Sequence, residues 1–145
     1  MNKINCNSIV REDCINIIKD NSNLLKKVSG KKILITGGNG FLMSYLIDTL
    51  VYWNDLNKNR KCYIYVIDNC KKFDRINYLK RRKDVSLIKK DVCKINELNL
   101  NVDYIIHGAS IASPTYYRIY PLETLDANIM GTRSILEIAK KKKIK

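Results

Sequence analysis

The chain has 145 residues, 46% of them hydrophobic, and a net charge of +13 from 27 Lys and Arg against 14 Asp and Glu. That is enough for one domain with its own core and too little for two, and too apolar for a disordered chain. No apolar run reaches the ~18 residues of a membrane span, and the N-terminus lacks the apolar stretch of a secretory signal, so a cytoplasmic protein without membrane association is expected.

The five cysteines (Cys6, Cys14, Cys62, Cys70, Cys93) are scattered, with no C-x-x-C pair. They predict reduced thiols rather than a disulfide framework or a metal site. Lysine supplies 20 of the 27 basic residues. Lysine, asparagine and isoleucine all have AT-rich codons, so composition accounts for the charge without a nucleic-acid partner. Apart from Lys140 to Lys143 the charges are dispersed, whereas a DNA-binding face gathers arginine and aromatics on one element.

In chain order, residues 8–27 predict a helical preface, with Ser8 as its cap, Ile9, Cys14, Ile17, Ile18, Leu24 and Leu25 near a 3.6 period, and a break at 21–23. Residues 1–30 thus read as an N-terminal helical extension before a domain spanning 31–145. Lys31 to Thr36 is a short apolar run, the pattern of a strand buried on both faces of a parallel sheet. Phe41 to Trp53 predicts an apolar helix, residues 54–61 a polar loop, and Cys62 to Ile67 a second buried strand ending at Asp68-Asn69. A short helix over 73–82, a third strand over 85–89 ending at Asp91, and a fourth over 102–107 ending at Gly108-Ala109-Ser110 follow. Residues 121–143 contain one long helix, with Leu125, Ile129, Ile135, Leu136 and Ile138 as its apolar stripe. This alternation is that of an open α/β sheet.

The informative segment is Thr36-Gly37-Gly38-Asn39-Gly40-Phe41-Leu42, between a buried strand and a helix. Gly37 allows a turn that other residues resist. Gly40 removes a side chain where a pyrophosphate must approach the backbone, and the free N–H groups and dipole at the helix start favour its negative charge. The next strand ends in Asp68, a carboxylate able to accept hydrogen bonds from both hydroxyls of an adenosine ribose. It would repel the extra phosphate of NADP, which points to NAD. The bland alternative is a flavodoxin-like sheet with a tight glycine turn and no nucleotide.

Thr36 to Leu42 resembles the T-G-x-x-G-F-[IL] signature of the extended short-chain dehydrogenases/reductases, the NAD-dependent epimerase/dehydratase family. The resemblance continues through Asp68-Asn69, Asp91-Val92, His107-Gly108-Ala109-Ser110 and Asn128-Ile129-Met130-Gly131-Thr132. It covers residues 31–143 and implies a Rossmann-like parallel sheet with helices on both faces, here reaching about four strands. Ala109 to Pro114 and Tyr117 look most like the nucleotide-sugar decarboxylase and dehydratase branch, nearest to UDP-glucuronate decarboxylases, whose products serve surface-polysaccharide synthesis.

By position the resemblance implies that Gly37, Asn39, Gly40, Phe41 and Leu42 hold the pyrophosphate of NAD. Asp68 and Asn69 would hold the adenosine ribose, and Asp91 and Val92 the adenine. His107, Gly108, Ala109 and Ser110 would line the floor toward the nicotinamide ribose, and Pro114 and Tyr117 would border the sugar site. Asp91 could equally cap a turn, and His107 is read as a structural histidine rather than a metal ligand.

There are two departures. Met43 stands where the family usually has a third glycine, which predicts altered packing rather than lost binding. The family's catalytic Ser/Thr and Tyr-x-x-x-Lys lie after a fifth strand, and no usable Tyr-x-x-x-Lys occurs in this chain. Without that general base, no turnover and no catalytic residue are expected. The expected protein is therefore the NAD-binding portion of a nucleotide-sugar enzyme, which would meet its substrate and form a homodimer only at full length. The other reading is a stand-alone non-catalytic nucleotide-binding or interaction module. An unpaired edge beside the fourth strand also predicts poor solubility or self-association; a sharp monomeric gel-filtration peak with a cooperative melt would count against it.

Overall fold

The computed structural model describes residues 8–70 and 74–144. Four parallel strands form one sheet in the order β3-β2-β1-β4: β1 (Lys32–Thr36), β2 (Tyr63–Asp68), β3 (Val85–Lys89) and β4 (Tyr104–His107). Ile33 pairs with Ile64 on one side and Tyr104 on the other, so all strands reach their C-terminal ends at one edge. The period of two sorts the side chains. Ile33, Ile35, Ile64 and Val66 enter the core under α3 (Phe41–Leu56), while Leu34 and Ile67 enter the opposite core with Val92, Ile95, Leu98, Val102 and Ile138. Helices cover both faces, as the double-sided burial of β1 predicted.

The N-terminal extension is α1 (Ser8–Asp20) and α2 (Ser22–Val28), broken at Asn21. Ser8 is helical and is the first of the described residues. Ile18 and Leu25 belong to the same buried cluster as α3 and the sheet, Cys14 is fully buried, and Tyr45 on α3 donates to Asp13 at 3.4 Å. The extension therefore shares a core with the sheet domain.

Three local expectations are corrected. The helix expected to end at Trp53 runs on to Leu56 and takes Asn54 out of the predicted loop. Asn54 is wholly buried; its amide donates to Cys62 O at 2.8 Å and its Oδ1 accepts from Cys62 N at 2.9 Å, acting as a surrogate strand partner where β2 begins. The helix expected over 73–82 is a 3₁₀ turn, Asn77–Arg81, with Phe73 outside the described residues. Ile76 and Leu79, three apart and both fully buried, suit the threefold repeat of that turn.

The long C-terminal helix is interrupted. An unexpected α4 (Pro114–Ile119) precedes α5 (Pro121–Asp126), a π-helical turn at Ala127–Gly131, and α6 (Thr132–Lys142). Pro114 and Pro121, each in a first turn, start separate helices. The wider π turn lays Gly131 against Val92, where a Cβ would meet Val92 Cγ2 at 2.7 Å. The predicted stripe is divided: Ile135 and Ile138 are buried, but Leu125, Ile129 and Leu136 are 52–63% exposed.

Candidate functional site

The turn after β1 sets the geometry. Gly37 has φ +72°, and its N–H donates to Ile67 O at 2.8 Å, so the chain leaves β1 while still tied to β2. A Cβ there would lie 2.5 Å from Gly108 O, because the loop after β4 passes directly over the turn. Gly40 donates to Gly37 O at 3.0 Å and caps α3 without a side chain. Around a Cβ at Gly40 the sole neighbour within contact range is Gly37 O, so the remaining space is open. The first-turn amides of α3 lack intrahelical acceptors and carry the positive end of a helix of 16 residues.

Asp68, at the end of β2, binds this turn. Its Oδ2 accepts from Asn39 N at 2.9 Å and its Oδ1 from Cys70 N at 2.9 Å. Asn39 in turn accepts at Oδ1 from Arg75 N at 3.1 Å, and the Arg75 guanidinium lies 5.6 Å from the centre of the Phe41 ring. A carboxylate has about four lone-pair sites. Two are spent on the backbone, and Asp68 also faces the cleft above the sheet edge.

That cleft has a volume of about 800 Å³ and opens over the C-terminal ends of the strands. Gly37, Asn39, Gly40, Phe41, Leu42, Asp68, Asn69, Asp91, Val92, Gly108, Ala109 and Ser110 all line it. Asp91 also caps the following 3₁₀ turn, accepting from Cys93 N at 3.0 Å, so its turn-capping role is realised alongside its place in the cleft. Pro114 and Tyr117 lie on α4, exposed and outside the lining.

His107 does not line the cleft. It turns inward from β4, with Nδ1 2.7 Å from Thr36 Oγ1 and Nε2 3.2 Å from Thr132 Oγ1. Thr36 Oγ1 already accepts from Gly108 N and, more weakly, Ala109 N at 3.4 Å. Its one proton is thus free for His107 Nδ1, which leaves Nε2–H to donate to Thr132. Burial holds the imidazole below its ordinary pKa. The ring is a neutral bolt between β1, β4 and α6 that fixes the loop above Gly37.

Met43, Ile111 and Ala112, noted in the sequence as motif positions but not assigned to the site, also line the cleft. Sequence reasoning missed Lys90, Cys93 and Lys94, near motif residues, and Glu123, Asp126 and Ala127, which α5 and the π turn bring from a distance. Neither nearby cysteine is an activated thiol. Burial first, and then Asp68, pushes Cys70 up to about 11, and burial with Asp91 raises Cys93. Among the described residues no group of three metal-ligating side chains occurs, and no helix is long and apolar enough to cross a membrane. The arrangement offers backbone donors, a helix terminus and carboxylate acceptors.

Residues 33–145 match the NAD dependent epimerase/dehydratase family. The chain belongs to that family. UDP-glucuronic acid decarboxylase 1 of Arabidopsis thaliana is 35% identical over 112 residues, covering 76% of this chain and 24% of that protein. UDP-glucuronic acid decarboxylase 1 of Danio rerio is 35% identical over 119 residues, covering 81% and 26%. The chain thus spans about a quarter of the length of these epimerase/dehydratase relatives. Its fold is that of DesIV, a dTDP-glucose 4,6-dehydratase from Streptomyces venezuelae solved with NAD and TYD bound: TM-score 0.67, 18% identity, 78% of this chain and 37% of that one. The Thermus thermophilus UDP-glucose 4-epimerase, solved with NAD, matches with TM-score 0.57 at 21% identity over 79% of this chain and 35% of that one.

Proposed function

We propose that this chain binds NAD in the cleft above β1 and β2, and that it is the cofactor-binding portion of a cytoplasmic enzyme acting on a nucleotide sugar. The observation that supports this reading is the hydrogen bond from Asn39 N to Asp68, which holds a part-open carboxylate beside the glycine turn and helix terminus. The amides of Phe41 and Leu42 receive the pyrophosphate, and Gly40 leaves room for it. Asp68 accepts from the adenosine ribose and repels the further phosphate of NADP. Asp91 and Val92 border the adenine, and Gly108 to Ser110 the nicotinamide ribose. When bound, NAD supplies reversible hydride transfer, the oxidation step needed for epimerisation, dehydration or decarboxylation of a sugar.

The substrate class and the decarboxylase branch are inferred from the relatives' similarity. No Tyr-x-x-x-Lys occurs among these 145 residues. On this reading, proton removal from a sugar hydroxyl, turnover and homodimer formation would draw on residues outside these 145.

Calorimetric titration with NAD and NADP tests the reading. NAD should bind at least about tenfold tighter than NADP, a difference of about 1.4 kcal/mol. A cooperatively folded chain that binds neither dinucleotide would overturn it. Intact mass from the source cells separates the two settings. A mass near 16.8 kDa would favour a non-catalytic module, and about twice that would favour a complete enzyme.

A further inference from the structure

Met43, where the family's turn usually has its third glycine, has a side chain with a defined destination. It is the third residue of α3, half-buried, packed on one side against the core beneath α3 and lining the cleft on the other. A Cβ on Gly108 would stand 2.6 Å from Met43 Cγ, 2.7 Å from Sδ and 3.1 Å from Cε. Three consecutive atoms of Met43 cross the face of Gly108, so moving the methyl end alone would not relieve the contact. Gly108 is not among the glycines with positive φ. Its backbone does not demand glycine; the space that a side chain would need is already filled.

We propose that Met43 and Gly108 form a size-matched pair. The volume missing at 108 is supplied from 43, and the thioether forms the floor of the cleft between the glycine turn and the end of β4, positioning the dinucleotide there. Methionine suits this place because it is flexible, polarizable and makes no hydrogen-bond demand. The positioning half of the proposal rests on the NAD reading above; the packing half does not.

The test uses the full chain as wild type, M43A, G108L and M43A/G108L, read by thermal unfolding without ligand and by calorimetry with NAD. M43A is expected to weaken NAD about fivefold, G108L at least about thirtyfold, and the double variant to regain most of the G108L loss. In the melts, the double variant should unfold at a higher temperature than G108L. Should G108L not fold, G108A and M43A/G108A give the same comparison. Melting shifts that simply add would overturn the pair even if wild type binds NAD. Recovery in the melts with no NAD binding by any form would leave the pair standing and sink the NAD reading. An M43A variant with unchanged NAD affinity would overturn the positioning role.

Discussion

Two aspartates at opposite ends of the sheet show how one side chain can serve structure or ligand. Asp84, just before β3, accepts from Arg82 Nε and Nη2 at 2.8 Å each and from Asn54 Nδ2 at 3.0 Å, with Lys61 at 3.9 Å. Arg82 also grips Asp55 at the end of α3, at 2.7 and 3.1 Å. Every direction around Asp84 is taken, and it is 8% exposed. Asp68 accepts two backbone amides, has no cation within ion-pair distance among the described residues, and faces a cleft. A carboxylate enclosed by donors holds elements together. One that is oriented by backbone and left part-open keeps acceptor capacity toward the cleft.

The largest expected effect lies at the closed end. Arg82→Ala leaves buried Asp84 with only Lys61, 3.9 Å away, as a cation and should cost about 3 kcal/mol of unfolding free energy by denaturant titration, with NAD affinity unchanged in the folded fraction. If NAD affinity falls in parallel, the two ends are coupled and the contrast fails. Gly37→Ala comes next. A side chain at φ +72°, driven against Gly108 O, should cost about 1–3 kcal/mol and abolish NAD binding, because the turn itself must shift.

Asp68→Ala should reverse that balance. It removes an acceptor from two amides that water can reach, for a stability loss of about 1 kcal/mol, yet it should weaken NAD about tenfold and erase the preference over NADP. A large stability loss with intact NAD affinity would show Asp68 to be structural like Asp84.

The smallest effect is pH dependence at His107, the single histidine of the chain. Burial lowers its folded-state pKa, so the unfolded chain binds the proton more readily. Stability is full above the unfolded value of about 6.5 and falls as pH drops below it toward the folded value. His107→Gln should flatten the fall in melting temperature as pH drops below about 6.5. Asp84 acts lower: burial opposes its ionisation, but Arg82 outweighs burial and holds its carboxyl below the usual range. Its contribution is present above the unfolded value of about 3.9 and is lost as pH falls through the folded one.

The sheet and the glycine turn were legible because they rest on local signals. Consecutive apolar residues in β1 and β2 mark two-sided burial, and Gly37 and Asp68 stand at strand ends whatever lies elsewhere. Asn54 was misread as loop because polarity suggested exposure, and only the start of β2 gives its amide a reason to be buried. His107 sits within a motif that suggests the cleft, but Thr36 and Thr132, from two other elements, draw it inward. Leu125, Ile129 and Leu136 keep helical spacing and share one exposed face, which spacing alone cannot tell from a buried one.

The sequence by itself determined the parallel α/β architecture, the glycine turn at the sheet edge and most of the residues that line the cleft there, because strand burial and glycine turns are encoded over a few neighbouring positions. Only the tertiary structure decided which polar groups are open and which are closed. Asp68 and Asp84, or Met43 and the third glycine it replaces, cannot be told apart in role until partners distant in the chain fill, or leave empty, the space around them.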